Sequence, residues 1–172
     1  MSRTERDFNT NIVRLRPRLI AFAGYFIGSG AATPEDMVQD AVVKVWVQIN
    51  KNGAERINNI EALMMAVLKN ICIDYLRLKK NRNIDIDGHK EAFKITVESD
   101  PQRTLEMSER MKGVTDAIKL LPDDQQMVLR LRDIMGYEFE EIASIMEMNE
   151  GNIRTLLSRG RKRVREYVLA TY

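Results

Sequence analysis

A single cysteine, Cys72, and a single histidine, His89, occur in 172 residues. One cysteine cannot form an intramolecular disulfide, which points to a reducing compartment. One histidine without partners builds no metal or acid–base centre, and His89 is expected to be solvated surface. Aromatic residues make up only 6%, too few for a sheet on which single-stranded bases stack. Four prolines and nine glycines leave long stretches uninterrupted for helix. No apolar run approaches the roughly 20 residues that span a bilayer, and residues 1–7 are polar, without the core of a signal peptide. A cytoplasmic protein is expected. No motif pairs a nucleophile with a base, and the glycines form no phosphate loop. An enzyme is therefore not indicated, and no cofactor, metal or small-molecule substrate is expected.

Net charge is also small, with 27 Lys and Arg against 25 Asp and Glu, so total charge names no partner. Its placement is more informative. Near the C-terminus Arg154, Arg159, Arg161, Lys162, Arg163 and Arg165 precede Glu166, an arrangement suited to phosphates. A solvated helix face is the plain alternative.

Apolar periodicity divides the chain into two helical blocks. In residues 1–80, Phe8, Ile12, Leu15, Leu19, Phe22 and Phe26 recur at helical spacing. Pro17 should kink or break that helix, and Gly28, Ser29 and Gly30 should end it. A second helix opens at Thr33-Pro34-Glu35-Asp36, with a threonine cap, proline at the first position and acids near the positive helix end. Its stripe is Val38, Val42, Val45, Trp46 and Ile49, so Trp46 reads as core packing and not as a stacking wedge. A third helix, about 61–79, should bury Leu63, Val67, Leu68, Ile71, Cys72 and Tyr75. Periodicity fails over 81–103, where turn-forming pairs such as Asp87-Gly88 predict an exposed, flexible tether.

The second block, 104–172, begins with a helix carrying Met107, Met111, Val114, Ile118 and Leu121 and stopped by Pro122. Asp123 and Asp124 can cap the next, which carries Met127, Leu131 and Ile134 and ends at Gly136. A short helix over 139–146 and a long one from 150 to about 169 follow. The predicted class is all-α: two small helical domains joined by a linker. Ile142 and Ala143 in the short helix face Ile153, Leu156 and Leu157 in the long one, the inner-face pattern of a helix-turn-helix. Glu150, Asn152, Arg154 and Ser158 then lie near the end of the second helix that meets base edges.

At these residues the chain resembles region 4 of the extracytoplasmic-function (ECF) sigma factors of bacterial RNA polymerase. The matching stretches are Leu121-Pro122-Asp123-Asp124-Gln125-Gln126, Gly136-Tyr137-Glu138-Phe139-Glu140-Glu141-Ile142-Ala143, and Asn149-Glu150-Gly151-Asn152-Ile153-Arg154 continuing to Arg161. The first block resembles region 2 of the same family at Pro34-Glu35-Asp36-Met37-Val38-Gln39-Asp40-Ala41 with Trp46. It does so again at Ala66-Val67-Leu68-Lys69-Asn70 with Asp74-Tyr75-Leu76-Arg77. Departures from the family pattern are Glu147 in place of the turn glycine, Glu138 in place of a serine cap, Leu156 in place of an arginine, and Leu63, Met64 and Met65 where aromatic and basic residues are usual.

The resemblance implies a promoter-directing subunit that acts by binding. Glu35, Asp36, Gln39 and Asp40 would dock on the clamp helices of the largest polymerase subunit. Lys69, Asn70, Arg77, Lys79 and Lys80 would hold the −10 strand, with Asn58 and Asn59 in the 55–60 loop where the family captures an unstacked base. Glu150, Asn152, Arg154, Ser158, Arg159, Arg161 and Lys162 would meet the −35 element. An anti-sigma factor is implied as a further partner. The alternative is a helix-turn-helix regulator that is not a polymerase subunit.

Overall fold

Seven helices, with no strand among the described residues, form an all-α chain in the computed structural model. The described residues are 3–27, 32–53, 58–82 and 101–171, without the side chains of 101–107. Gly28, Ser29, Gly30, residues 55–57, residues 83–100 with His89, and the side chain of Met107 lie outside them. The chain divides into two units, Met1–Phe93 and Lys94–Tyr172.

The first unit packs α1 (Arg3–Gly24), α2 (Pro34–Asn52) and α3 (Ile60–Asn81) against one another in all three pairings. Phe8, Leu15, Leu19, Phe22 and Phe26 are buried as expected, and Phe22 and Phe26 meet edge to face at 5.1 Å. Helix α1 runs unbroken through Pro17, against the expectation of a break. Pro17 and Val13 both face solvent, so the Val13 carbonyl deprived of its donor can be hydrated while the buried stripe holds the helix in place.

Local chemistry explains where α2 starts. The Thr33 Oγ1 accepts from the Asp36 amide at 3.2 Å, and the Asp36 carboxylate accepts from the Thr33 amide at 3.1 Å, a reciprocal cap. Pro34 occupies the first turn, where its missing N–H has no partner to lose. At the other end Gly53 takes φ 82 and donates its N–H to the Ile49 carbonyl. Trp46 is half-buried, its ring 5.0 Å from that of Phe8.

Helix α3 buries a different face from the one its periodicity suggested. Ala62, Met64, Met65, Leu68, Cys72 and Leu76 are inside, while Leu63, Val67, Ile71 and Tyr75 are only half-buried. The first turns are apolar on nearly every side, so hydrophobic spacing cannot orient them; contact with both α1 and α2 does. Burial pushes the Cys72 thiol up to about 12, leaving it protonated and a poor nucleophile at neutral pH.

In the second unit α4 (Pro101–Lys119), α5 (Asp123–Leu129) and α6 (Phe139–Met146) each pack on α7 (Glu150–Thr171). Helix α3 reaches Asn81 and α4 opens at Pro101, so both ends of the predicted 81–103 tether are helical. Helix α4 turns Gly113, Ala117 and Ile118 inward and leaves Met111 exposed. Helix α5 has Pro122 at its cap position and no side-chain cap bond there, so Asp123 and Asp124 lie in its first turn and do not cap it. It then widens into a π-helical turn over Arg130–Ile134, closed by Gly136 at φ 75. Gly160 is buried where α7 crosses α5: a Cβ there would lie 3.6 Å from the Gln125 carbonyl and from Leu121 and Leu129 side-chain carbons. Among the described residues no helix is long and apolar enough to cross a membrane.

Candidate nucleic-acid interface

Helices α6 and α7 form a helix-turn-helix over a shared core of Ile142, Ile145, Ile153 and Leu157. The turn places Glu147 at φ 55 and ψ 42, the one non-glycine residue at positive φ among the described residues. The Met148 amide still reaches the Ala143 carbonyl at 3.1 Å. A side chain in this conformation costs about 1 kcal/mol. Glu147→Gly is therefore expected to stabilise the second unit by roughly 0.5–1 kcal/mol, read as a rise of a few degrees in its Tm. A fall in Tm would show that the glutamate side chain contributes more than the turn costs.

Each helix of the motif starts on a defined cap. Glu141 reaches back to the Glu138 amide at 2.8 Å, while the Glu138 carboxylate accepts from Arg132 at 2.9 Å. Asn149 accepts the Asn152 amide on its side-chain oxygen at 2.8 Å, satisfying one of the orphan donors of α7.

With Ile153, Leu157 and Gly160 turned inward, the helical repeat of α7 points Gly151, Thr155, Ser158 and Lys162 directly outward. Asn152 and Arg159 flank that ridge on one side, and Glu150, Arg154 and Arg161 on the other; all are exposed. The structure thus brings all seven predicted −35 residues onto the solvent side of one helix. Thr155, outside the predicted set, stands at the centre, its hydroxyl donating to the Gly151 carbonyl at 3.0 Å.

Two of these cations are already engaged. Arg154 pairs with Glu150 at 3.5 Å and lies 3.9 Å above the centroid of the Phe139 ring. Arg161 makes a two-pronged contact to Asp133, 28 positions earlier in the π-helical turn. The hydrogen bond to Asp133 raises the Arg161 pKa further. Spacing along the chain gives no sign of this pair, and Arg161 cannot be counted as an unencumbered phosphate contact. Lys162 keeps a long 3.9 Å pairing with Glu166 and is well exposed.

In the first unit the predicted −10 residues separate. Asn70, Arg77 and Lys80 are exposed along α3, and Asn58 is exposed just before it. Lys69 and Lys79 are only 7% and 8% exposed. They fall on the same side as Met65, Cys72 and Leu76, so their stems are packed, and Lys79 sits 4.9 Å from the Tyr75 ring centroid. Asn59 caps α3, accepting the Ala62 amide at 3.0 Å; its side-chain oxygen is committed to the helix.

Glu35, Asp36, Gln39 and Asp40 are all exposed on α2. Asp36 also serves in the cap with Thr33. Val43 and Val47, 55% and 44% exposed, share the outward face with Gln39 and Asp40 by helical repeat. Neither belongs to the Val38, Val42 and Val45 stripe, and their spacing alone assigns them no role.

The family model for sigma-70 region 2 matches residues 12–82, and that for sigma-70 region 4 matches residues 112–164. The ECF RNA polymerase sigma-E factor of Escherichia coli K12 is 25% identical over 167 residues, covering 93% of this chain and 85% of its own length. The ECF RNA polymerase sigma factor SigM of Bacillus subtilis is 26% identical over 132 residues, covering 76% of this chain and 77% of its own. Among solved structures, the sigma factor RpoE in complex with the anti-sigma factor NepR, from Bartonella quintana, gives a TM-score of 0.70 at 23% identity, covering 97% of this chain and 99% of that one. CnrH, in complex with the cytosolic domain of CnrY, gives 0.66 at 18% identity, covering 98% of this chain and 91% of that one. The region 2 match leaves the reading of a helix-turn-helix regulator outside the polymerase without support. With both regions matched in order and relatives aligned along most of the chain, the protein belongs to the ECF sigma factors, alternative sigma factors that direct transcription.

Proposed function

We propose that the chain joins core RNA polymerase through the outward face of α2, with Glu35, Gln39 and Asp40 as its polar contacts. Val43 and Val47 are proposed as an apolar strip beside them. Exposed Asn58, Asn70, Arg77 and Lys80 then contact the −10 element and help hold it open, and α7 meets the −35 element in the major groove. The domain division follows the same logic, one unit for each promoter element with the 81–103 segment between them. The protein works by binding, with no chemistry of its own, in the cytoplasm where polymerase and chromosome are. By analogy with RpoE bound to NepR and CnrH bound to the cytosolic domain of CnrY, an anti-sigma factor is proposed as its regulator.

The observation that carries this reading is the outward ridge of α7, Thr155, Ser158 and Lys162 with Asn152 and Arg154 beside it, on a capped helix-turn-helix. Reconstitution tests it directly. Full-length protein mixed with core polymerase and fragmented genomic DNA from its host should give transcripts that start at a small, discrete set of sites. Failure to form a stable complex with core, with no start sites above those of core alone, would overturn the proposal.

A further inference from the structure

Phe139, at the first position of α6, carries two guanidinium groups. Arg154 reaches it from α7 at 3.9 Å and Arg132 from the π-helical turn at 4.7 Å, both measured to the ring centroid. Arg132 is itself fixed, donating to the Tyr137 carbonyl at 2.8 Å and to Glu138 at 2.9 Å. Arg154 pairs with Glu150 at 3.5 Å. Two arginines so close to one ring would repel each other, and the two glutamates offset that charge.

We propose that Phe139 is a positioning residue for base reading by Arg154, an inference that rests on the −35 reading above. A guanidinium stacked on a ring uses its flat face and leaves its N–H edge free. That edge is the part that makes a bidentate contact with guanine. An unsupported arginine must give up much of its rotamer freedom on binding DNA; the ring removes part of that loss in advance. In the free protein Glu150 occupies part of that edge at 3.5 Å, and it yields its place to the base on binding. Phe139 touches no DNA in this scheme. It acts through Arg154 alone, so its loss should relax specificity and leave general affinity intact.

The test uses holoenzyme made with the full chain and a pool of one promoter fragment, mapped by the reconstitution above, in which the −35 segment is randomised. Wild type, Arg154→Ala, Phe139→Leu and Phe139→Tyr are compared by the base preference of the retained DNA. Phe139→Leu should weaken preference about two- to fivefold, at the positions that Arg154→Ala erases, and Phe139→Tyr should restore it. Binding to fragments with a scrambled −35 segment should be equal for wild type and both Phe139 variants, and only slightly weaker for Arg154→Ala. An unaltered profile for Phe139→Leu beside a flattened one for Arg154→Ala overturns the positioning role, as does an equal loss on every sequence. An unaltered profile for Arg154→Ala instead removes the base-reading assignment itself, and this inference with it. A measurement independent of DNA and of the leucine variant's folding is the NMR shift of the Arg154 side-chain N–H protons in the free protein. Ring current should move them from the usual arginine position, and resonances at that usual position overturn the stacking.

Discussion

Replacing Gln39 and Asp40 together by lysine is expected to weaken assembly with core polymerase about a hundredfold or more, while the free protein keeps its stability within about 0.5 kcal/mol. Both side chains are exposed and lie past the first turn of α2, so neither caps the helix nor packs in its core. Placing two cations where the partner surface is expected to complement an acid costs several kcal/mol, and each 1.4 kcal/mol is tenfold in affinity. Asp36 must be kept out of this test. Its carboxylate accepts the Thr33 amide at 3.1 Å, and a lysine there would lose that bond and set a cation at the positive end of the helix. Asp36→Lys is expected to cost about 1–2 kcal/mol in folding, so reduced assembly by that variant would mix two causes. Val43→Ser is a cleaner second probe, since Val43 is already 55% exposed. Binding curves with purified core and a thermal melt of the free chain decide the matter. Undiminished affinity for the Gln39 and Asp40 double variant would remove the polymerase-binding role from this face.

The parts legible in the sequence are those whose causes lie within a few residues. The start of α2 follows from Thr33, Pro34 and Asp36, and the helix-turn-helix from the spacing of Ile142, Ala143, Ile153 and Leu157. The cap role of Asn59 was legible too, since asparagine is a favoured N-cap, but the loop resemblance drew it toward DNA. The rest depended on partners distant in the chain. Which face α3 buries is decided by α1 and α2 together, because Ile60, Leu63, Met64, Met65, Val67 and Leu68 leave few polar positions to mark an outside. Lys69 and Lys79 follow that rotation inward, although their type suggested phosphate contact. Phe139 looked like the opening of a helix, and only the approach of Arg132 and Arg154 gives it a further role. Asp133 carried no signal, because its partner Arg161 lies on another helix.

That last pair divides the basic residues of α7 into classes that salt titration can separate. Lys162 stands on the outward ridge, so Lys162→Ala should weaken holoenzyme binding to matched and scrambled −35 fragments alike and reduce the salt slope by about one unit. Arg154 lies near the end of the helix that enters the groove, so Arg154→Ala should cost about 1–3 kcal/mol on matched DNA and much less on scrambled DNA, with little change in slope. Arg161 should follow neither pattern. Its guanidinium is held by both oxygens of Asp133, so the pair presents little net charge to a phosphate. Arg161→Ala should therefore lower the slope by clearly less than Lys162→Ala. It should also cost the second unit about 1 kcal/mol of stability at most, because the arginine side chain is 52% exposed and solvent screens such pairs. Asp133→Ala should act in the opposite direction, freeing the cation and steepening the salt slope by up to about one unit. If Asp133→Ala left the slope unchanged while Arg161→Ala lowered it as much as Lys162→Ala, Arg161 would be a full phosphate contact that releases Asp133 on binding, and the pair would be a feature of the free protein alone.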